Sequence, residues 1–254
     1  MTFSRCRTLV GVTLVALGTT ATVAQAADQG QQQLTVKISP VKAGTKKKPA
    51  AAGIHVTIRN TAAAPATTET TTISFGKGVS FNNTKFPTCA VATIDKAKSI
   101  SKCPKGSIVG KGKARAIGQL AGTAVPEDLT VTAVNAPRNT LALFVKGESP
   151  LTIAGTLTGK LSKAGGKYAN TLRVTIPSYL REVLPGTFAP LVLFDVSVKA
   201  TTTVKQGSKS VKVPYVQTTG CKGGSWPFLG AFTYDQGAPN PVGPSSSLTT
   251  AACK

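Results

Sequence analysis

The residues able to do chemistry here are few: one histidine, five cysteines, nine acidic side chains and a glycine-rich basic run. His55 lies between Ile54, Val56 and Ile58, on the polar parity with Thr57 and Arg59. A catalytic histidine must be held against a serine or cysteine by a third group. A position in a plain alternating pattern reads instead as an ordinary surface residue. One histidine also excludes a His-rich zinc site. Cys89, Cys103, Cys221 and Cys253 lack the C-x2-C spacing of zinc and redox motifs. The run Lys105 to Lys113 has the composition of a phosphate loop. Yet three residues separate Gly106 from Gly110 where four are needed, and Lys111 is followed by Gly112 rather than Ser or Thr. It reads as a basic strand with small residues on one side. No motif asks for a cofactor.

The acidic residues are Asp28, Glu69, Asp95, Glu127, Asp128, Glu148, Glu182, Asp195 and Asp235. Two of them converging across a cleft would suffice for glycoside hydrolysis. The aromatics that could stack a sugar are chiefly Trp226, Phe228, Phe232 and Tyr234, and their shared parity reads as core packing.

The elements that must position these residues begin with a leader. Arg5 and Arg7 precede the apolar run Thr8 to Leu17, and small residues end at Ala24-Gln25-Ala26. These are the three parts of a signal peptide over residues 1–26, with an apolar run too short to span a membrane. Cys6 lies before that run, so the remaining chain holds four cysteines, an even number that suits disulfides in an oxidising compartment. Three pairings are possible; the local one, Cys89–Cys103 with Cys221–Cys253, brackets two compact segments. Leu184-Pro-Gly-Thr-Phe188 resembles a wall-sorting pentapeptide but ends in the wrong residue and lacks the apolar tail. It reads as a turn.

Period-two alternation recurs along residues 27–254. Leu34, Val36 and Ile38 alternate with Thr35 and Lys37; Leu172, Val174 and Ile176 with Arg173 and Thr175; Phe194, Val196 and Val198 with Asp195 and Ser197. Each is a strand with one buried and one wet face. Weaker patterns occupy 69–75, 106–117, 128–135, 140–146, 211–219, 226–234 and 247–253. Turns such as Lys163-Ala-Gly-Gly-Lys167 divide them. Helix is scarce: Val91 to Lys98, and Ser178 to Leu184 with Ser178 as a candidate N-cap. The expectation is one all-β domain over 27–254, an antiparallel β-sandwich of immunoglobulin-like or related type with one or two short helices. A mobile Pro/Ser-rich loop is expected at 236–247.

The formal charge is +21, and without Arg5 and Arg7 it is +19. Such an excess draws a protein to anionic surfaces without reading their sequence. Lysines outnumber arginines, which argues against bidentate phosphate reading and specific nucleic-acid recognition. Lys46, Lys47, Lys48, Lys105, Lys111 and Lys113 are the candidate contacts, provided the fold gathers them.

Several stretches carry a resemblance: Ser39 to Pro49, Phe86-Pro-Thr-Cys89 followed by Cys103 to Gly110, Gly220-Cys221 to Trp226, and Phe228 to Tyr234 with a terminal Cys253. Through them the chain resembles a group of exported β-rich actinobacterial proteins with paired-cysteine motifs. The resemblance implies an exported β-rich protein and brings no activity, ligand or catalytic residue with it. The expected function is therefore a secreted or cell-envelope, non-catalytic binding or structural module. Its partners would be anionic wall or extracellular polymers, held by weak electrostatic attachment. The rival expectation is a secreted carbohydrate-active hydrolase using two carboxylates.

Overall fold

The computed structural model describes residues 31–120 and 123–254, so the expected signal peptide lies outside the described residues. In chain order the strands are β1 (Gln32–Ser39), β2 (Ala50–Asn60), β3 (Thr68–Gly76), β4 (Val79–Phe81), β5 (Ile108–Leu120) and β6 (Thr123–Ala136). Then come β7 (Thr140–Gly147), β8 (Ile153–Lys163), β9 (Tyr168–Thr175), β10 (Glu182–Leu184), β11 (Thr187–Phe188) and β12 (Leu191–Val198). The last are β13 (Thr201–Gln206), β14 (Lys209–Pro214), β15 (Val216–Thr218), β16 (Ser225–Tyr234) and β17 (Ser245–Ala252). Two short helices complete the set, α1 (Val91–Ala97) and α2 (Ser178–Arg181).

Antiparallel pairing runs without a break along β17-β16-β3-β9-β8-β7-β6-β5-β12-β2, and β1 pairs with the free side of β2. The sheet curls until its first strand lies beside its last. Leu34 N–H donates to Ser247 Oγ at 3.0 Å. Just beyond, Lys254 N–H donates to the Val41 carbonyl and Ala43 N–H to the Lys254 carbonyl. The curled sheet faces itself across one apolar interior, the antiparallel sandwich expected from the alternation. The inward parity of each strand fills it: Leu34, Val36 and Ile38 from β1, Leu141, Leu143 and Val145 from β7, Trp226, Phe228, Phe232 and Tyr234 from β16. Where β5 crosses β12 the backbones approach closely. A Cβ at Gly112 would lie 2.1 Å from the Asp195 carbonyl oxygen, so only glycine fits there.

The segment between β4 and β5 folds over the outer face of β6 and β7. Ile94 of α1 is buried there with Cys89, Val134, Ala136, Ala142 and Phe144. The helix ends at Lys98 in the left-handed conformation. Disulfides Cys89–Cys103 and Cys221–Cys253 are both formed, the local pairing, as suits an oxidising compartment. Loops of these lengths correspond to about 3 and 4 kcal/mol of chain-entropy stabilisation. The expected helix after Ser178 is shorter than its pattern, because residues 182–184 are drawn into a hairpin with Thr187 and Phe188. Ser178 is the first helical residue behind Pro177 and makes no capping bond, which corrects its expected role. Leu184-Pro-Gly-Thr-Phe188 forms the hairpin turn. The turn 235–244 is tied by Gln236, whose side-chain amide donates to the Tyr234 and Val242 carbonyls.

Tyr215 is buried against Phe81 and Phe86, with its hydroxyl donating to Asn135 Oδ1 at 3.3 Å. Burial pushes its phenol well above the ordinary range. A folded-state value raised above the unfolded one gives stability that is whole below the unfolded value and is lost as pH rises towards the folded one. Denaturant midpoints should therefore fall as pH climbs past about 10. Tyr215→Phe should flatten that alkaline fall relative to wild type; equal slopes in the two proteins would refute it.

Candidate functional site

Antiparallel strands send successive connections to opposite ends, and the charges divide between those ends. At the end where β1 finishes, the connection 40–49 exposes Lys42, Lys46, Lys47 and Lys48, and Lys254 lies alongside. The connection from β3 to β5 exposes Lys77, Lys85, Lys96, Lys98, Lys102 and Lys105. Arg138 and Lys167 lie in the two hairpin turns with Lys163 at the end of β8, and the connection from β12 to β16 exposes Lys199, Lys205, Lys209, Lys212 and Lys222. Among all these segments the one acidic residue is Asp95. At the opposite end Glu148, Glu182 and Asp235 lie in the connections, with Glu69 at the start of β3, Glu127 and Asp128 in the first half of β6, and the basic Arg59, Arg115 and Lys146 in the strands beside them. Arg181 is the one basic residue of those described connections.

The fold thus brings Lys46, Lys47, Lys48 and Lys105 to one end. Lys111 and Lys113 stand apart, on the outer wall of β5 opposite Ser197 and Asp195. Asp128, in the same wall, is held below the usual carboxylate range by the Arg115 guanidinium, which grips it through two hydrogen bonds of 2.7 and 2.9 Å.

On that wall His55 is not an isolated surface residue. Its Nδ1 accepts from Ser197 Oγ at 2.7 Å, and its Nε2 faces Asp195 Oδ2 at 3.3 Å. Thr57 Oγ1 donates to the same carboxylate oxygen at 3.2 Å, a network that assigns the Nε2–H tautomer. Serine, histidine and aspartate are all present, but Ser197 and Asp195 lie on β12, hydrogen-bonded on both sides to β2 and β5. Backbone N–H groups free to hold an oxyanion are what such a set needs, and these ladders engage the amides around Ser197. The arrangement is a cross-strand polar ladder on a flat wall. No sequence signal could have found it, since 142 residues separate His55 from Ser197.

The acidic end holds a cavity of about 220 Å³. Its floor is Ala114, Ala116, Leu129, Leu157, Leu191 and Phe194, and the connection 176–190 roofs it with Leu180, Val183 and Leu184. A second chamber of about 70 Å³ lies deeper and shares Leu157, Ile176, Leu191 and Phe194 as a wall. Two charged side chains line the upper chamber. Glu127 is 4 % exposed; its Oε2 accepts from Leu151 N–H at 3.1 Å, and its Oε1 is buried without a partner. Gly147 makes room for it, because a Cβ there would lie 2.2 Å from Glu127 Oε1. Arg181, its side chain 14 % exposed, is clamped by Asp235 and, at 3.6 Å, by Glu69. Glu69 and Asp235 therefore do converge, but onto a shared guanidinium. Trp226, Phe228, Phe232 and Tyr234 are core side chains. Glu127 did carry a sequence signal: it falls on the parity of Leu129, Val131 and Ala133, the inward face of β6.

No protein-family model matches the chain, and no curated protein or solved structure matches it significantly. What the molecule itself defines is a class: a disulfide-linked, all-β antiparallel sandwich. None of the helices among the described residues is long and apolar enough to cross a membrane.

Proposed function

We propose that this is an exported, non-catalytic binding protein of the cell envelope or extracellular space, which attaches through its lysine-rich end to anionic polymers. The observation that supports this is the division of charge between the two ends. Charges within about 8 Å of one another reinforce a local potential at physiological salt, whereas evenly scattered ones are screened apart. Lysines crowded onto one set of connections create such a local field. Lysine-rich attachment without bidentate arginine forks suits a repetitive polyanion rather than one defined ligand. The leader, the disulfides and the resemblance to exported proteins support the location.

Retention on isolated cell wall, or on an immobilised wall polyanion, should fall steeply from low to high salt. The triple variant K46E/K47E/K48E should weaken it at least tenfold. The double variant K113E/K146E, on the outer wall, should change it no more than about twofold, each as expected for a screened, local field. Equal retention at low and high salt would overturn the proposal, as would equal losses in the two variants.

A further inference from the structure

Buried polar atoms find partners, because an unpaired one in an apolar site costs about 1–3 kcal/mol. Glu127 breaks that rule in the place where a ligand could mend it. Glu127 lines an apolar chamber of about 220 Å³, and its Oε1, tucked against Gly147 at the edge of that space, has no partner. We infer that this chamber binds a single apolar chain ending in a hydroxyl, with the chain against Ala114, Ala116, Leu157 and Phe194 and the hydroxyl on Glu127.

Size sets the chain. An apolar cavity of about 150 Å³ holds benzene, so this chamber takes roughly nine heavy atoms by the same scale. The chamber of about 70 Å³ adjoins it, sharing Leu157 and Phe194 as a wall.

Charge sets the head group. Arg181 is the one cation lining the chamber, and Glu69 and Asp235 already neutralise it. With Glu127 added, three carboxyls face one guanidinium around the chamber, so a carboxylate head would meet repulsion. A hydroxyl suits Glu127 in either protonation state: it donates to the carboxylate, and it accepts from the carboxylic acid. It can also accept from Arg181 Nε, a second buried donor without a partner. The site lies at the end opposite the lysines, and the inference does not depend on polymer attachment.

The test titrates the full exported protein, disulfides formed, with 1-octanol and with octanoate, following amide shifts and stoichiometry by NMR. Octanol should bind one to one, shifting the Leu151 amide, and octanoate should bind at least tenfold more weakly. Ala116→Leu fills part of the chamber and should lower octanol affinity at least tenfold; Ala114→Phe should do so if the first variant unfolds. Glu127→Leu should also cost octanol about tenfold while narrowing the gap to octanoate. The proposal fails if octanol does not saturate, if octanoate binds as tightly, or if folded filling variants keep wild-type affinity. Octanol affinity unchanged by Glu127→Leu would overturn the head-group assignment. Wall retention, read separately on the lysine variants, reports on the other end alone.

Discussion

Trp226→Ala should lower the free energy of unfolding by about 3–5 kcal/mol, the usual loss on emptying a large aromatic site. Trp226 is 1 % exposed at the start of β16, and its Nε1–H donates to the Gly220 carbonyl at 2.6 Å. The ring sits beside Gly78, whose Cβ, if present, would lie 3.1 Å from Nε1, so the surrounding backbone is moulded to the indole. The site also adjoins the Cys221–Cys253 link, which holds both flanking segments in place and limits collapse into the void. Trp226→Phe keeps much of the apolar volume but strands the Gly220 carbonyl, and should cost less. Urea unfolding followed by far-UV circular dichroism measures both, since this is the protein's one tryptophan and its fluorescence is lost. A loss under 1 kcal/mol for the alanine variant would mean the site is not packed as described.

Asn135→Leu should cost about 4 kcal/mol although leucine has nearly the same volume, because four polar groups lose one partner. Asn135 is fully buried on the inward face of β6. Its side-chain amide donates to the carbonyls of Asn83, Phe86 and Pro87, at 2.9, 3.3 and 3.1 Å, and its oxygen accepts from Tyr215. Each buried group left unpaired costs about 1–3 kcal/mol, and the sum is partly relieved by relaxation. The loss is local as well as global, since this one side chain pins the segment that leads into Cys89. Limited trypsin digestion should therefore cut at Lys85 and Lys96 sooner in the variant, before global unfolding. Wild-type cleavage rates together with a stability loss below 1 kcal/mol would show that Asn135 is not the anchor of that segment.

The strands most legible in the sequence are those with one wet face. Along β1 the alternation of apolar with Thr, Lys or Ser is the burial pattern itself, and in the second halves of β9 and β12 the apolar parity is again the buried one. The pattern fades at β6 and β7 because both of their faces are covered, one by the interior and one by α1 and the Cys89–Cys103 loop. A strand buried on two sides has no wet parity to show. The end of the Ser178 helix is hidden in the sequence because a nearby partner decides it. Residues 182–184 have no strong local preference, and a partner only a few residues away, Thr187 and Phe188, makes them a hairpin.

The strand-rich class, the lack of zinc, redox and phosphate-loop spacing, and the core role of the aromatics on β16 were legible in the residues alone. These follow from composition, parity and short-range spacing, which survive without knowledge of partners. The folded sheet settles which end each lysine occupies, because that depends on the order in which strands pair around it. It alone set His55 against Ser197 and Asp195, and it alone placed Glu127 in an apolar chamber that Gly147 leaves open for it. Those juxtapositions join residues far apart in the chain, and chain connectivity carries no distance between them until the sheet closes.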